Sequence, residues 1–92
     1  MEKSKRTFER VNYLYLIKSF QKNWIYIGST RNLKLRLKEH NSGKIRSTKF
    51  YEPFELLYYE AYNTYALARK RELELKKNGQ QKELLFKRLG IL

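Results

Sequence analysis

Between residues 12 and 18 both alternating sets of positions are apolar: Tyr13, Tyr15 and Ile17 on one, Leu14 and Leu16 on the other. A strand with one wet face would alternate apolar with polar, so this run predicts a strand covered on both sides. Residues 19–23 are a polar break, and residues 24–28 form a second short run rich in β-formers. A hairpin is the economical solution. A turn centred on Phe20 and Gln21 sets Tyr15 directly across from Tyr26 on one face, a pairing that a one-residue slip would destroy.

The period then changes to that of a helix. Asn32 is suited to an N-cap, and Leu33, Arg36, Leu37 and His40 recur at i, i+3, i+4 and i+7 before Asn41, Ser42 and Gly43 supply a stop. Pro53 opens a third strand over residues 54–61. Thr64 or Asn63 caps a second helix that runs to about residue 77, where Asn78 and Gly79 end it. Residues 80–89 form a third, amphipathic helix using Leu84, Leu85 and Leu89. The order β-β-α-β-α-α predicts an α+β fold, a small three-stranded antiparallel sheet flanked by helices. Residues 1–11 read as a charged N-terminal arm and residues 12–92 as one domain.

Charge narrows the function classes. Lys and Arg number 21 against 9 acidic residues, a formal net charge of +12 on 92 residues. Such an excess favours polyanionic partners. There is no segment of about 20 apolar residues that could span a bilayer, and the charged first ten residues do not resemble a signal peptide. The expectation is a cytoplasmic protein without membrane contact, a monomer or weak dimer. The chain has no cysteine and one histidine, so it has no disulfide partner, thiolate zinc site or multi-histidine metal site. A bound metal would rest on carboxylate and water, which points to a single hard cation such as Mg²⁺ or Mn²⁺.

Three features break the usual rule for polar residues. Arg36 and His40 lie one turn apart at the edge of an otherwise apolar stripe, where a purely structural helix would have hydrophobes. Glu72 shares a stripe with Tyr65, Ala68 and Leu75, so its carboxylate must find a cation, a metal or a cleft, whereas Glu74 falls on the opposite, solvated side. A salt bridge to Arg69 or Lys76 is the plain reading of Glu72. Tyr15 and Tyr26 are phenols on neighbouring strands, able to pack a ring while bonding water or a phosphate oxygen.

In order along the chain these residues resemble the GIY-YIG nucleases. Tyr13-Leu14-Tyr15 and Tyr26-Ile27-Gly28 look like the paired signature, with Tyr13 and Leu14 standing where the family name has Gly and Ile. Gly28-Ser29-Thr30 followed by Leu33, Arg36, Leu37, Glu39, His40 and Asn41 is similar to the family's strand-to-helix segment. Arg71-Glu72, then Leu75-Lys76 and Gly79, resembles its metal-binding helix. Excision-repair members carry an asparagine in the final helical region, and the stretch around Leu84 offers none, which points to another subfamily.

The resemblance implies a metal-dependent DNA endonuclease with a possible role in DNA repair or processing. Glu72 would ligate the metal, Arg36 would polarise the scissile phosphate, and Tyr15, Tyr26 or His40 would position or deprotonate the attacking water. A phenol of ordinary pKa near 10 is a poor base at neutral pH, and an imidazole needs less adjustment, so the choice among the three stays open. Ser29 and the loop residues Lys44, Arg46, Thr48 and Lys49 are the expected contacts to DNA, with RNA not excluded. Any preference would be for DNA structure or a weakly specified sequence. The rival reading is a nucleic-acid-binding module that keeps the fold without turnover.

Overall fold

The computed structural model describes residues 11–91, so expectations for the N-terminal arm lie outside the described residues apart from Val11. Three strands, β1 (Asn12–Ser19), β2 (Ile25–Thr30) and β3 (Phe54–Tyr62), form an antiparallel sheet in the order β2-β1-β3. The helices are α1 (Leu33–Asn41), α2 (Tyr65–Lys77) and α3 (Gly79–Leu89). This is the α+β order expected from the sequence. None of the described helices is long and apolar enough to cross a membrane.

The doubly apolar β1 is the central strand, and its two faces serve two cores. Leu14 and Leu16 point to one side and join Ile27, Leu75 and Leu85 under α2 and α3. Tyr15 and Ile17 point to the other and join Phe54, with Trp24, Tyr26, Leu33, Leu37 and Tyr51 packed around them beneath α1. Leu84 was expected in the α3 core face but is exposed; Leu85, Phe86 and Leu89 face the sheet instead. Register shifts between Leu16 and Ile17, where Leu57 of β3 is the extra residue of a bulge.

The hairpin is longer by two residues on its return side than a turn centred on Phe20 and Gln21 requires. Lys18 pairs with Ile25, so Tyr15 lies across from Gly28 and Tyr26 from Ile17. Tyr15 is therefore not directly opposite Tyr26, as the sequence had suggested. The displacement is two residues, which preserves the side-chain face, and both phenols still lie on the α1 side. A small residue opposite Tyr15 is what the site needs: a Cβ on Gly28 would stand 2.6 Å from the Tyr15 hydroxyl oxygen.

Capping side chains set where each helix begins. Asn32 accepts from the Leu35 amide at 3.0 Å and Thr64 from the Leu67 amide at 3.2 Å. Asn78 ends α2 and caps α3, accepting from the Gln80 and Gln81 amides at 3.1 and 3.2 Å. The far end of α1 is held by a two-bond clasp. The Asn41 side chain accepts from the Phe54 amide at 2.6 Å and donates to the Phe54 carbonyl at 3.2 Å. Phe54 begins β3 and is buried, so the clasp fixes the last turn of α1 to the sheet. Replacing Asn41→Ala leaves two backbone groups without these partners and should cost roughly 1–3 kcal/mol in urea denaturation, with unchanged folding cooperativity.

Candidate active site

Three of the residues singled out from sequence meet in direct contact. The Tyr15 hydroxyl lies 2.8 Å from His40 Nε2, the His40 and Tyr26 rings meet edge-on at 5.1 Å, and the Tyr15 and Tyr26 centroids are 6.3 Å apart. Tyr15 is 1% exposed and His40 fully buried, whereas Tyr26 is half-buried and reaches solvent. Behind His40 stands Thr48, also fully buried, with its hydroxyl oxygen 2.8 Å from His40 Nδ1.

The proton positions in this chain follow from its partners. Arg36 can only donate, so the buried Tyr15 hydroxyl has His40 Nε2 as the acceptor for its proton. The imidazole proton then sits on Nδ1 and is accepted by the Thr48 oxygen, and Thr48 donates onward to the Ile45 carbonyl at 3.4 Å. Burial pushes the Tyr15 pKa well above its ordinary value, and the nearby Arg36 guanidinium offsets only part of this. Burial, aided by Arg36, lowers the His40 pKa to about 4. Both groups are neutral at pH 7.

Thr48 was expected in an exposed phosphate-contact loop, and the structure corrects this. A hydroxyl eight residues beyond His40 shows no periodic relation to it; the loop must fold back before the two can meet. Lys44, Arg46 and Lys49 do lie exposed in that connection. The last of them begins a short 3-10 turn, Lys49–Tyr51.

Glu72 approaches from α2 with 4% of its surface exposed. Its Oε1 accepts from Ser29 at 2.5 Å and pairs with Arg69 at 2.8 Å, while Oε2 pairs with Lys76 at 2.6 Å. Burial works against the charged carboxylate, but these three donors outweigh it and hold the pKa below the usual glutamate value. The salt bridges read from helical spacing are thus both present, on separate oxygens. Ser29, expected to bond a phosphate or its water, gives its hydroxyl proton to this carboxylate. Lys76 also lies 5.5 Å from the Tyr26 ring centroid, so one ammonium joins Glu72 to the tyrosine cluster.

Arg36 adjoins the Tyr15 hydroxyl, half-exposed and paired with Glu39 at 3.1 Å. It lines a groove of about 310 Å³ with Ser29, Thr30, Arg31, Glu39 and Tyr65. A larger apolar cavity of about 710 Å³ runs along Tyr13, Leu33, Leu37 and Leu56 and holds none of the five expected site residues.

The described residues contain no group of three or more His, Asp or Glu side chains able to hold a metal. Glu72 alone can still serve a hard cation that keeps most of its waters and takes further oxygens from a phosphate. One buried carboxylate with two exchangeable cations fits that donor set.

The model of the GIY-YIG catalytic domain matches residues 11–84. The chain belongs to the GIY-YIG family. Among its relatives, a UPF0213 protein of Staphylococcus saprophyticus is 34% identical over 74 residues, covering 79% of this chain and 89% of that one. A UPF0213 protein of Syntrophus aciditrophicus is 36% identical over 75 residues, covering 79% and 85%. UPF0213 protein YazA of Bacillus subtilis is 34% identical over 76 residues, covering 82% and 76%. The solution structure of a UPF0213 protein from Bacillus halodurans aligns over 82% of each chain at 27% identity, with a TM-score of 0.48. Family membership brings a nuclease-type fold.

Two consequences are measurable. In the unfolded chain His40 binds a proton near pH 6.5, and in the folded chain only near pH 4. Between those values the unfolded state holds more protons, so stability is complete above pH 6.5 and falls as pH drops towards 4. The loss should reach roughly 3 kcal/mol in denaturation curves, and a His40→Gln variant should lack that component. Separately, Gly28→Ala must displace the Tyr15 ring and should cost roughly 1–3 kcal/mol while breaking the Tyr15–His40 bond, seen as a shifted His40 imidazole resonance by NMR.

Proposed function

We propose that this protein is a divalent-metal-dependent DNA endonuclease. The observation that carries the reading is the meeting of Tyr15, Tyr26 and His40, with Arg36 beside Tyr15 and Glu72 joined to Tyr26 through Lys76. A phosphodiester is hydrolysed when its phosphorus is polarised, a water is deprotonated and the leaving oxygen is stabilised. Arg36 is the group that would polarise the scissile phosphate, exchanging Glu39 for a phosphate oxygen in a charge-assisted pair.

Burial separates the three candidates for the water. Tyr15 and His40 are sealed from solvent and bonded to each other, so neither meets an attacking water directly. Tyr26 is the phenol that reaches solvent, and we assign to it the water's proton. Tyr15, His40 and Thr48 hold the floor on which Tyr26 rests. Glu72, assisted by Ser29, would hold a single Mg²⁺ or Mn²⁺, whose chemistry is to neutralise charge developing on the phosphate and leaving oxygen.

Lys44, Arg46 and Lys49 would contact phosphates and position the substrate without reading its sequence. Selectivity would then rest on DNA structure, such as nicks, flaps and branches, or on a weakly specified sequence. This suits DNA repair or processing in the cytoplasm by a monomer or weak dimer. One observation favours the rival reading, a non-catalytic DNA- or RNA-binding module: Arg69 and Lys76 already satisfy both oxygens of Glu72.

The two readings part in one assay. Plasmid, flap and branched DNA should be cleaved in Mg²⁺ or Mn²⁺ and left intact in chelator. Arg36→Ala and Glu72→Ala should each lower the rate by at least about 100-fold. Arg69 and Lys76 are partly exposed and regain water when Glu72 is removed, so Glu72→Ala should change stability by less than about 1 kcal/mol. Intact DNA of all three kinds under these conditions, with binding unaffected by chelator, would establish the binding module instead.

A further inference from the structure

Two phenylalanines lie where no core requires them. Phe20 at the β1–β2 tip is 64% exposed, and Phe50 in the 3-10 turn is 75% exposed. They belong to segments bolted together by Ser19. The Ser19 hydroxyl donates to the Tyr51 carbonyl at 2.6 Å and accepts from the Gln21 and Lys22 amides, both at 3.1 Å. The Phe20 amide donates to the Pro53 carbonyl at 2.9 Å. Beneath this surface the Trp24 and Tyr51 rings stack at 3.9 Å and 20°, giving it a stiff aromatic base.

Lysines accompany the rings. Lys49 Nζ lies 5.1 Å from the Phe50 centroid, and Lys22 Nζ lies 5.5 Å from that of Tyr51. Exposed aromatic rings accompanied by ammonium groups match a polymer with flat apolar units on an anionic backbone. An unpaired polynucleotide strand has that chemistry, because its bases offer faces that a closed duplex hides in its own stack.

We propose that this end of the molecule, with Phe20 and Phe50 as stacking rings and Lys22 and Lys49 as phosphate contacts, binds unpaired nucleotides flanking the site of cleavage. The inference rests on the nuclease reading for its substrate and deepens it, defining the preferred class as DNA with a single-stranded flank. The surface also has a direct structural link to the active site. The Tyr51 amide donates to the Thr48 carbonyl at 2.9 Å, and the Thr48 side chain holds His40. A strand seated on Phe50 therefore rests on the same turn that fixes the buried imidazole.

The test is fluorescence anisotropy in chelator, which separates binding from turnover. Its probes are a labelled single strand, a flap, a blunt duplex and an abasic strand with the same number of phosphates. Phe20→Ala/Phe50→Ala should weaken single-strand and flap binding by about 10- to 100-fold and blunt-duplex binding by less than about 2-fold. The native protein should prefer the ordinary strand to the abasic one, and the double variant should lose that preference. Both substitutions are at exposed positions, so the urea midpoint should be unchanged. Equal losses for duplex and single strand, or unchanged single-strand binding, would overturn the proposal. A protein that binds flaps through Phe20 and Phe50 but never cleaves them would overturn the nuclease reading alone.

Discussion

The buried chain from Tyr15 through His40 to Thr48 is the constraint on which the rest of the site depends. A phenol, an imidazole and a hydroxyl come from the central strand, the first helix and the loop behind it. None has water to fall back on, so each must find its partner in one of the others. That requirement fixes α1 over the sheet, folds the loop back beneath it, and leaves the imidazole neutral with its proton on Nδ1. It also explains Gly28, since the Tyr15 hydroxyl occupies the volume that a side chain on β2 would fill. Asn41 serves the same arrangement from the far end of α1, by holding Phe54 where His40 can pack on it.

Much of this was legible in the chain before any coordinates. Doubly apolar β1 announced a strand covered on both faces, Asn32 and Thr64 or Asn63 announced helix starts, Asn78 and Gly79 announced a stop, and Arg36, His40 and Glu72 broke the apolar stripes of their helices. Local periodicity carries that kind of information because it reports which face of one element is buried. It carries little about which elements meet. Tyr15 faces Gly28 and not Tyr26 because turn length, to which strand alternation is blind, sets the register. Thr48 was read as a solvated loop hydroxyl because nothing in a basic, polar stretch distinguishes the one side chain that turns inward. Leu84 was misplaced for a related reason: Leu84, Leu85 and Phe86 are consecutive, and a run of hydrophobes does not say which of them faces the sheet.

The same distinction separates Tyr26 from its two neighbours. By residue type and spacing Tyr15, Tyr26 and His40 were equivalent candidates for managing a water molecule. Burial makes them unequal. Two are committed to each other in the interior, and one keeps an open edge. Under the proposed reading, the interior pair supplies rigidity and the edge phenol supplies contact with the reacting water. A positioned group gains most when its supports cannot relax.

The ion pairs around the site suggest how so basic a domain tolerates its own charge before a polyanion arrives. Arg36 is held by Glu39, and Glu72 by Arg69 and Lys76. Each pairing places a protein group where the proposed reaction would place a substrate or a metal: a carboxylate where a phosphate oxygen would bind, and two cations where a metal ion would. Arg36, Arg69 and Lys76 are all partly exposed, so exchanging partners requires side-chain rotation, not unfolding. Under the proposed reading, the resting site is an electrostatic imitation of its loaded state. Part of the excess positive charge lies outside these pairs, on the exposed Lys22, Lys44, Arg46 and Lys49. There it can attract a strand without disturbing the geometry that would cut it.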